Sequence, residues 1–439
     1  MDIIAFKGYR YNPDVVGDAG QCIAPPYDVI DPDQQDELYA RSPYNVVRIT
    51  KGRSTPQDNA DDNVYTRAAA ALHNFIEKNA LKQDKAESIY VYVQDFTIQG
   101  QSLRRSGFIA LGKLEGYEGS VRAHEQTLAG PKADRLKLMR ATKTQTGQVF
   151  MLYSDPKRRI DALLDKASQQ PPLLTLDDEG VKHRLFAITQ PDDIATIVAV
   201  MKEQSVFIAD GHHRYETACN YYKETGNPAA SHHIMTFINT HNEGLVVLPT
   251  HRLFKNIANF QPAKLLESLK RNFDVARMSF TSDAEKTGRC KDMFDAMRCE
   301  FEQCQHTFGL YLADRAFYVL TLKDVTAMDP LAPDHSPAWR QLDVAILHKL
   351  ILENLMGIGE AALTAESNLV YIKDIGAATQ DAINRVDSGE AQGVFFMNPT
   401  RPEEVAATAA AGEKMPQKST FFHPKIFSGL VLNVLAGKD

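Results

Sequence analysis

The chain has 439 residues, 44% of them hydrophobic and 24% charged, with a formal net charge of −7. This length predicts two or three globular domains, while the acidic balance disfavours non-specific nucleic-acid binding and leaves room for a local basic site. No apolar stretch approaches the roughly 18 residues of a membrane span and the N-terminus lacks a signal-peptide pattern, so we expect a cytoplasmic protein without a membrane partner.

Prolines punctuate the first 50 residues. Their pattern predicts a rigid turn, a short helix and a strand from Val46 to Ile49. The stretch "PPYDVI" places Asp28 after a restricted turn, which suits an oriented carboxylate as well as a plain turn. A helix over residues 64–80 and two paired strands, "SIYVYVQDFTIQG" and "RRSGFIALGKLEGY", are predicted to follow.

The segment "RAHEQTLAGPKADR", residues 122–135, concentrates charged side chains around a Gly-Pro turn. His124 and Glu125 offer an adjacent acid–base pair, and Lys132 and Arg135 are candidate anion ligands. Because exposed loops are commonly charged, a solvated surface explains this segment equally well. A helix ("KADRLKLMRATKTQ") and a strand ("QVFMLYSD") are predicted next.

The stretch "FIADGHHRYETACNYY", residues 207–222, predicts a buried strand that turns directly into a helix. Asp210 is a suitable N-cap, and Gly211 permits a tight turn. His212, His213 and Arg214 then occupy the first helical turn, where the helix dipole favours acidic residues. A phosphate bound there would make the basic residues favourable, because they would contact the anion together with the helix N–H groups. We therefore favour an anion site. In the alternative, the basic residues point into solvent or meet a carboxylate elsewhere.

Alternating strands and helices predict a mixed α/β or α+β fold. "HHIMTFINTH" and "EGLVVLPTHRLF" are expected to add two strands to the sheet of the first domain. We predict domains over residues 1–260 and 261–390, the latter containing helices near 283–304 and 340–356. A closing segment, 391–439, is expected to pack back onto the site.

Five irregularly spaced cysteines predict reduced thiols. Cys290, Cys299, Cys304 and His306 match no common zinc pattern, and the apolar residues among them have helical spacing. We therefore interpret this segment as an amphipathic helix. No Walker A sequence is present, and we expect no haem, flavin or zinc.

The closing stretch "MPQKSTFFHPK" is rich in hydroxyl and cationic groups. Lys418, Ser419 and Thr420 are its candidate phosphate ligands. Two phenylalanines follow and require burial, which disfavours a solvated basic tail.

Several of these stretches together resemble the bacterial and archaeal family called domain of unknown function 1015. They are "APPYDVI", "SPYNVVRI", "HEQT", "KADRLKL", "FIADGHHRYETA", "LPTHRLF", "LDVAILHKLIL" and "MPQKSTFFHPKIFSGL".

A shorter likeness concerns "ADGHHRYETA", which resembles the phosphate-binding turn of the ParB and sulfiredoxin superfamily. It is most similar to the form found in ParB-like free serine kinases, which the run Asp210–Arg214 matches residue by residue. The kinases' catalytic glutamate has no unambiguous counterpart, and Glu125 and Asp28 are the candidates. Sulfiredoxin's reactive cysteine is replaced by histidine, so sulfinic acid reduction is not expected.

The resemblance implies a ParB/sulfiredoxin-like core that transfers a phosphoryl group to or from a small metabolite of the serine or phosphoserine type. ATP or ADP and magnesium would be the cofactors. Asp210 would hold magnesium or orient a histidine such as His212, and Glu125 or Asp28 would accept the hydroxyl proton. A non-catalytic nucleotide-binding regulator is the alternative, and a homodimer is left open.

We predict that the site is assembled from distant segments, with Asp28, His124 and Lys418 in one cleft around Arg214. The phosphate or nucleotide ligands expected there are Gly211, His213, Arg214, His124, Lys132, Arg135, Lys418, Ser419 and Thr420.

Overall fold

A computed structural model describes the chain except for residues 99, 118, 124, 126–128, 360–366 and 436–439. The fold is mixed α/β, as predicted, and divides into two compact units. The first comprises residues 1–123, 127–246 and 424–439, and the second comprises 124–126 and 247–423. The observed boundaries therefore lie at 246/247 and 423/424 instead of the expected 260/261 and 390/391.

The first unit contains twelve labelled strands and a further short strand, Asn433–Val434. The labelled strands are β1 (Ile3–Ile4), β2 (Tyr9–Tyr11), β3 (Leu81–Gln83), β4 (Ile89–Ile98), β5 (Gln101–Lys113), β6 (Val121–Arg122), β7 (Thr144–Gln145), β8 (Val149–Tyr153), β9 (Leu174–Asp178), β10 (Val181–Ile188), β11 (Val206–Asp210) and β12 (His232–Asn239). Its α-helices are α1 (Pro13–Val16), α2 (Pro32–Arg41), α3 (Val47–Thr50), α4 (Val64–Glu77), α5 (Ala129–Thr142), α6 (Arg159–Ser168), α7 (Pro191–Lys202) and α8 (His212–Thr225).

The main sheet of the first unit has the strand order β6-β11-β8-β12-β5-β4-β10-β9, with β1 paired to β5. β8 is antiparallel to β11 and parallel to β12. The end of β11 and the beginnings of β8 and β12 therefore meet at one edge of the sheet. Because α8 connects β11 to β12, its N-terminus begins at that same edge.

The described part of the second unit, together with the residue that precedes it, contains eight strands. They are β13 (Val246–Leu248), β14 (Thr250–Phe254), β15 (Phe273–Ser279), β16 (Thr307–Tyr311), β17 (Ala316–Leu322), β18 (Leu369–Lys373), β19 (Gly393–Met397) and β20 (Phe421–His423). Its helices are α9 (Pro262–Leu269), α10 (Asp283–Glu302), α11 (Pro337–Arg340), α12 (Asp343–Ala345), the π-helical α13 (Ile346–Leu355), α14 (Ala378–Asp387) and α15 (Pro402–Ala410).

An antiparallel sheet of order β15-β17-β16-β19-β14-β18 forms the second unit's core, and β13 pairs separately with β20. The expectation that "EGLVVLPTHRLF" extends the first sheet is therefore wrong. β14 lies between β18 and β19, where all five of its residues are buried. Apolar alternation identified a strand here, but only the pairing decided which sheet it joins.

Two secondary-structure predictions are also wrong. Residues 47–50 form the short helix α3 instead of a strand. The side-chain oxygen of Asn45 accepts from the Val47 N–H at 2.9 Å, and this local bond together with burial overrides the β-propensity of "VVRI". The predicted helix over 340–356 is interrupted because Leu342 has extended backbone angles.

The cysteine-bearing segment 283–304 is helical, as predicted, since α10 buries Met293 and Met297. Its cysteines form no disulfides. Across the described part of the chain, no group of three or more histidine, cysteine or acidic side chains could hold a metal ion. No described helix is both long and apolar enough to cross a membrane.

Candidate functional site

The turn from β11 into α8 places glycine where the backbone requires it. Gly211, not Asp210, is the N-cap of α8, and its φ of 97° lies in the left-handed region that favours glycine. A Cβ atom here would lie 3.0 Å from the guanidinium carbon of Arg214. The expected N-cap role of Asp210 is wrong because Asp210 ends β11 and its side chain forms no cap bond.

The three basic residues do occupy the first turn of α8, as predicted. Arg214 folds back, so that its Nη2 lies 2.7 Å from Asp210 Oδ2 and its Nη1 donates to the Gln148 carbonyl. Lys425 Nζ lies 3.0 Å from the other oxygen of Asp210. The alternative interpretation, in which the basic residues meet a carboxylate, therefore holds for Arg214. The Asp210 carboxylate offsets the unfavourable placement of this arginine at the helix N-terminus.

Asp210 is the electrostatic centre of this cluster. Although burial alone would raise its pKa, the Lys425 ammonium and the Arg214 guanidinium hold the pKa well below its usual range. The carboxylate is thus ionised throughout the physiological range. It fixes two cationic side chains that approach from different parts of the first unit.

A small, open cleft lies beside this cluster, with a cavity volume of about 50 Å³. Its walls include Tyr27, Arg135, Gly147, Arg214 and His233, all from the first unit. Two guanidinium groups therefore face one space. No acidic side chain lines this cleft among the residues that the structure describes.

Arg135 is held rigidly at the cleft wall. Its Nη2 lies 2.5 Å from Asp134, its Nη1 donates to the Thr50 carbonyl at 2.7 Å, and its guanidinium carbon lies 3.8 Å from the centre of the Tyr27 ring. Tyr65 donates to Asp134 at 2.8 Å and so orients that carboxylate. This arrangement fixes a planar cation without closing the cleft.

The other candidate site residues of the first unit differ in burial and in their position relative to the cleft. His212 is buried, whereas His213 is partly exposed. Lys132 lies 2.9 Å from Glu216 and is absent from the walls of the cleft. Asp28 is exposed and directly follows Tyr27, so it lies next to the cleft wall without being part of it.

Other candidates belong to the second unit. Glu125 forms an isolated parallel bridge with Met415 there. The Lys418 carbonyl accepts from Arg252 at 3.0 Å, and the Ser419 hydroxyl donates to the Pro416 carbonyl. Thr420 belongs to the same unit, and His124 lies outside the described residues. The ligand roles of these residues stay predictions.

Two cleft residues were not anticipated from the sequence. Thr217 and His233 are both buried, each with 3% of its surface exposed. Thr217 follows Arg214 by one helical turn, a spacing that could have indicated it. His233 lies in the buried strand β12, which also contains His232, Thr236 and Asn239, so its sequence pattern gives no such signal.

A magnesium ion at Asp210 does not fit this arrangement. Each carboxylate oxygen already faces a cationic nitrogen, from Arg214 or from Lys425. A dication prefers several oxygen ligands and would be repelled by these neighbours. Asp210 instead faces Arg214 and Lys425, and the expectation that it orients a histidine stays a prediction.

Several solved structures show a weak similarity to this chain. Free serine kinase in complex with AMP is 13% identical, with a TM-score of 0.34 over 72% of this chain and 86% of the kinase. A conserved hypothetical protein from Pyrococcus furiosus is 16% identical, with a TM-score of 0.34 over 72% of this chain and 92% of the other. C-terminally truncated SbnI from Staphylococcus aureus is 11% identical, with a TM-score of 0.33 over 75% and 90%.

No curated protein matches the chain. The family described as "Protein of unknown function (DUF1015)" matches residues 3–345, in agreement with the resemblance of the sequence motifs. Because this match spans well over half of the sequence, the chain belongs to the DUF1015 family.

Proposed function

We propose that the chain is a phosphotransferase or phosphohydrolase that acts on a small phosphorylated metabolite of the serine or phosphoserine type. Its phosphate would bind at the N-terminus of α8. The observation that carries this proposal is the cleft in which Arg214 and Arg135 face the same space.

Phosphate suits the chemistry of these walls. Guanidinium groups bind phosphate oxygens through paired, charge-assisted hydrogen bonds, and the first N–H groups of a helix add further donors. Arg214 is oriented by Asp210, and Arg135 by Asp134, so neither side chain needs to be ordered when a ligand arrives. Preorganised donors of this kind also stabilise charge that develops during phosphoryl transfer.

Proton acceptance from a substrate hydroxyl is assigned to Asp28, with Glu125 as the alternative. Asp28 is exposed next to Tyr27, which lines the cleft. ATP or ADP remains the proposed nucleotide, and any magnesium would be bound through its phosphates and not through Asp210. The proposed contributions of His124, Lys418, Ser419 and Thr420 rest on the sequence motifs.

One observation favours a second function, that of a non-catalytic nucleotide-binding regulator. In the described part of the first unit the cleft has basic, polar and apolar walls but no carboxylate. Such a site can bind a phosphorylated ligand without a group positioned to remove the substrate's proton.

Paired binding and turnover measurements separate these two functions. We expect Arg214→Ala to weaken nucleotide affinity by roughly 10²-fold, because it removes a charge-assisted, bidentate contact. Asp28→Asn retains the shape of the side chain and should leave affinity nearly unchanged, while phosphate transfer to serine falls by roughly 10²–10⁴-fold. Glu125→Gln tests the alternative base in the same way.

Phosphate release from phosphoserine is measured in parallel to test hydrolysis. Turnover that survives Asp28→Asn and Glu125→Gln combined would contradict the assignment of the base. Tight nucleotide binding by the wild type with neither transfer nor hydrolysis would favour the regulator.

A further inference from the structure

Two unsatisfied polar side chains lie in the cleft beside Arg214. Thr217 and His233 each have only 3% of their surface exposed. Among the residues that the structure describes, the Thr217 hydroxyl has no hydrogen-bond partner, and the His233 ring nitrogens have none of good geometry beyond an interaction of the imidazole with the Gly147 backbone. Buried polar groups are rarely left in this state, since each costs about 1–3 kcal/mol. A polar partner supplied from the cleft would remove that cost.

The backbone around His233 is fixed independently of any such partner. The Gln145 side chain donates to the His232 carbonyl at 2.7 Å and accepts from the Ile234 N–H at 3.0 Å. These two bonds clamp the backbone on either side of His233. Thr217 is equally constrained because it lies within α8, three residues after Arg214.

His233 is an uncharged imidazole in this setting. Burial, reinforced by the neighbouring Arg214 charge, lowers its pKa to about 3, and the nearby Gly147 backbone opposes this shift. A neutral imidazole presents one N–H donor and one lone pair, and a threonine hydroxyl likewise donates and accepts. A hydroxyl group, which also does both, complements these two side chains.

We propose that Thr217 and His233 form a hydroxyl-binding subsite, which holds a hydroxyl of the ligand whose phosphate lies against Arg214. The preferred ligand class is therefore a small phosphate ester that keeps a free hydroxyl, which narrows the proposed metabolite to one other than phosphoserine, whose only hydroxyl is esterified. This inference rests on the proposed phosphate site. The phosphate group of an ester would by itself leave the imidazole lone pair unpaired, because a phosphate monoester dianion offers only acceptors.

Two matched esters test the subsite in the full-length chain by calorimetry. Glycerol 3-phosphate carries hydroxyls that n-propyl phosphate lacks. The wild type should bind glycerol 3-phosphate about tenfold more tightly, a difference in the range of one or two hydrogen bonds. Thr217→Val should reduce this preference to near unity with the affinity for propyl phosphate unchanged, whereas Thr217→Ser should retain it.

His233→Phe, which removes both ring nitrogens, should also abolish the preference for glycerol 3-phosphate over propyl phosphate. This variant tests the subsite if Thr217→Val does not fold. Equal binding of the two esters by the wild type would overturn the subsite and leave the phosphate site standing. A preference that persists in both Thr217→Val and His233→Phe would also overturn it, because the hydroxyl must then bind elsewhere. Binding of neither ester would overturn the subsite together with the proposed phosphate site.

Discussion

Each unit holds an arginine among buried polar groups, but the surroundings of the two side chains differ. In the first unit, Arg214 pairs with the Asp210 carboxylate and lines an open cleft. In the second, Arg252 is 1% exposed, donates to the Thr250 and Lys418 carbonyls, and lies 5.2 Å from the centre of the Tyr371 ring.

The electrostatic surroundings of the two arginines also differ. Burial lowers the pKa of Arg252 to about 10, against the opposing effect of Tyr371. Arg252 is enclosed by backbone carbonyls, so it fixes those carbonyls and thereby the fold. Arg214 is held on one side by a carboxylate and is open to the cleft on the other, so it can also bind a ligand.

The largest expected difference in stability follows from replacing each arginine by methionine. Arg252→Met leaves the buried Thr250 carbonyl and the Lys418 carbonyl without this donor and should destabilise the second unit by about 2 kcal/mol. Arg214→Met also removes the donor to the Gln148 carbonyl, but Lys425 still faces Asp210 and the vacated position adjoins an open cleft, so this variant should cost the first unit less, about 1 kcal/mol. Trp339 is the single tryptophan and belongs to the second unit, so its fluorescence during urea denaturation reports that unit alone.

Hydrogen exchange over the strands of the main sheet follows the first unit in the same variants. Equal destabilisation of both units by the two substitutions would remove the distinction drawn between the two arginines. A loss of phosphate affinity in Arg252→Met without any loss of stability would also contradict it.

The two units should also respond differently to acid. Burial lowers the pKa of His183 and of His233, each to about 3, and Arg105 or Arg214 respectively adds to the effect. Each imidazole stays neutral in the folded state but gains a proton on unfolding below about pH 6.5. The contribution of these two neutral imidazoles to the free energy of unfolding is therefore complete above pH 6.5. It is lost as the pH falls towards 3, by up to about 1.4 kcal/mol per pH unit for each histidine.

In the described part of the second unit, burial lowers the pKa of His348 well below its usual value. Burial instead raises the pKa values of Asp343 and Glu404 in that unit, so the folded state there takes up protons more readily as the pH falls. These acids offset His348, and the first unit should lose more stability between pH 7 and pH 5. Urea denaturation at pH 7, 6 and 5 measures both units, with hydrogen exchange and Trp339 fluorescence as probes.

His233→Gln is the matched control, because glutamine retains hydrogen-bonding groups but does not titrate. The pH dependence of the first unit's stability should become shallower in this variant, while that of the second unit stays the same. An unchanged slope in the first unit would show that His233 is protonated in the folded state near neutral pH.

The smallest expected effect compares the two ends of α8. Gly211 has a φ of 97° and Gly226 a φ of 59°, so alanine at either position should cost roughly 1 kcal/mol of stability. Only at Gly211 would the added carbon approach Arg214, whereas the corresponding position at Gly226 is open space. Gly211→Ala should therefore also weaken phosphate binding, because the guanidinium must move.

Thermal denaturation and calorimetric titration with phosphate measure these two consequences separately. Gly226→Ala serves as the control for helix destabilisation without displacement of Arg214. Equal phosphate affinity in the two variants would argue against a ligand contact by Arg214.

The sequence anticipated those features of the site that are local. The strand-to-helix turn at Gly211, the three basic residues in the first turn and the charged helix that carries Arg135 all lie within short segments with clear patterns. It missed Thr217 and His233 because both lie in elements that carry several other polar residues, so nothing in the pattern marks these two as facing a cleft. Their unsatisfied atoms become evident only when the surrounding groups are in place.

Periodicity and turn chemistry by themselves determined the mixed α/β class, the helix that begins after Gly211 and the helical character of the cysteine-bearing segment, because these depend on neighbours within a few residues along the chain. Only the tertiary structure decided that Asp210 faces Arg214 and Lys425, that β14 joins the second sheet, and that residues 47–50 are helical. Those outcomes depend on which distant groups meet, on strand register and on burial. A one-dimensional pattern does not specify them, because many pairings bury the same apolar faces.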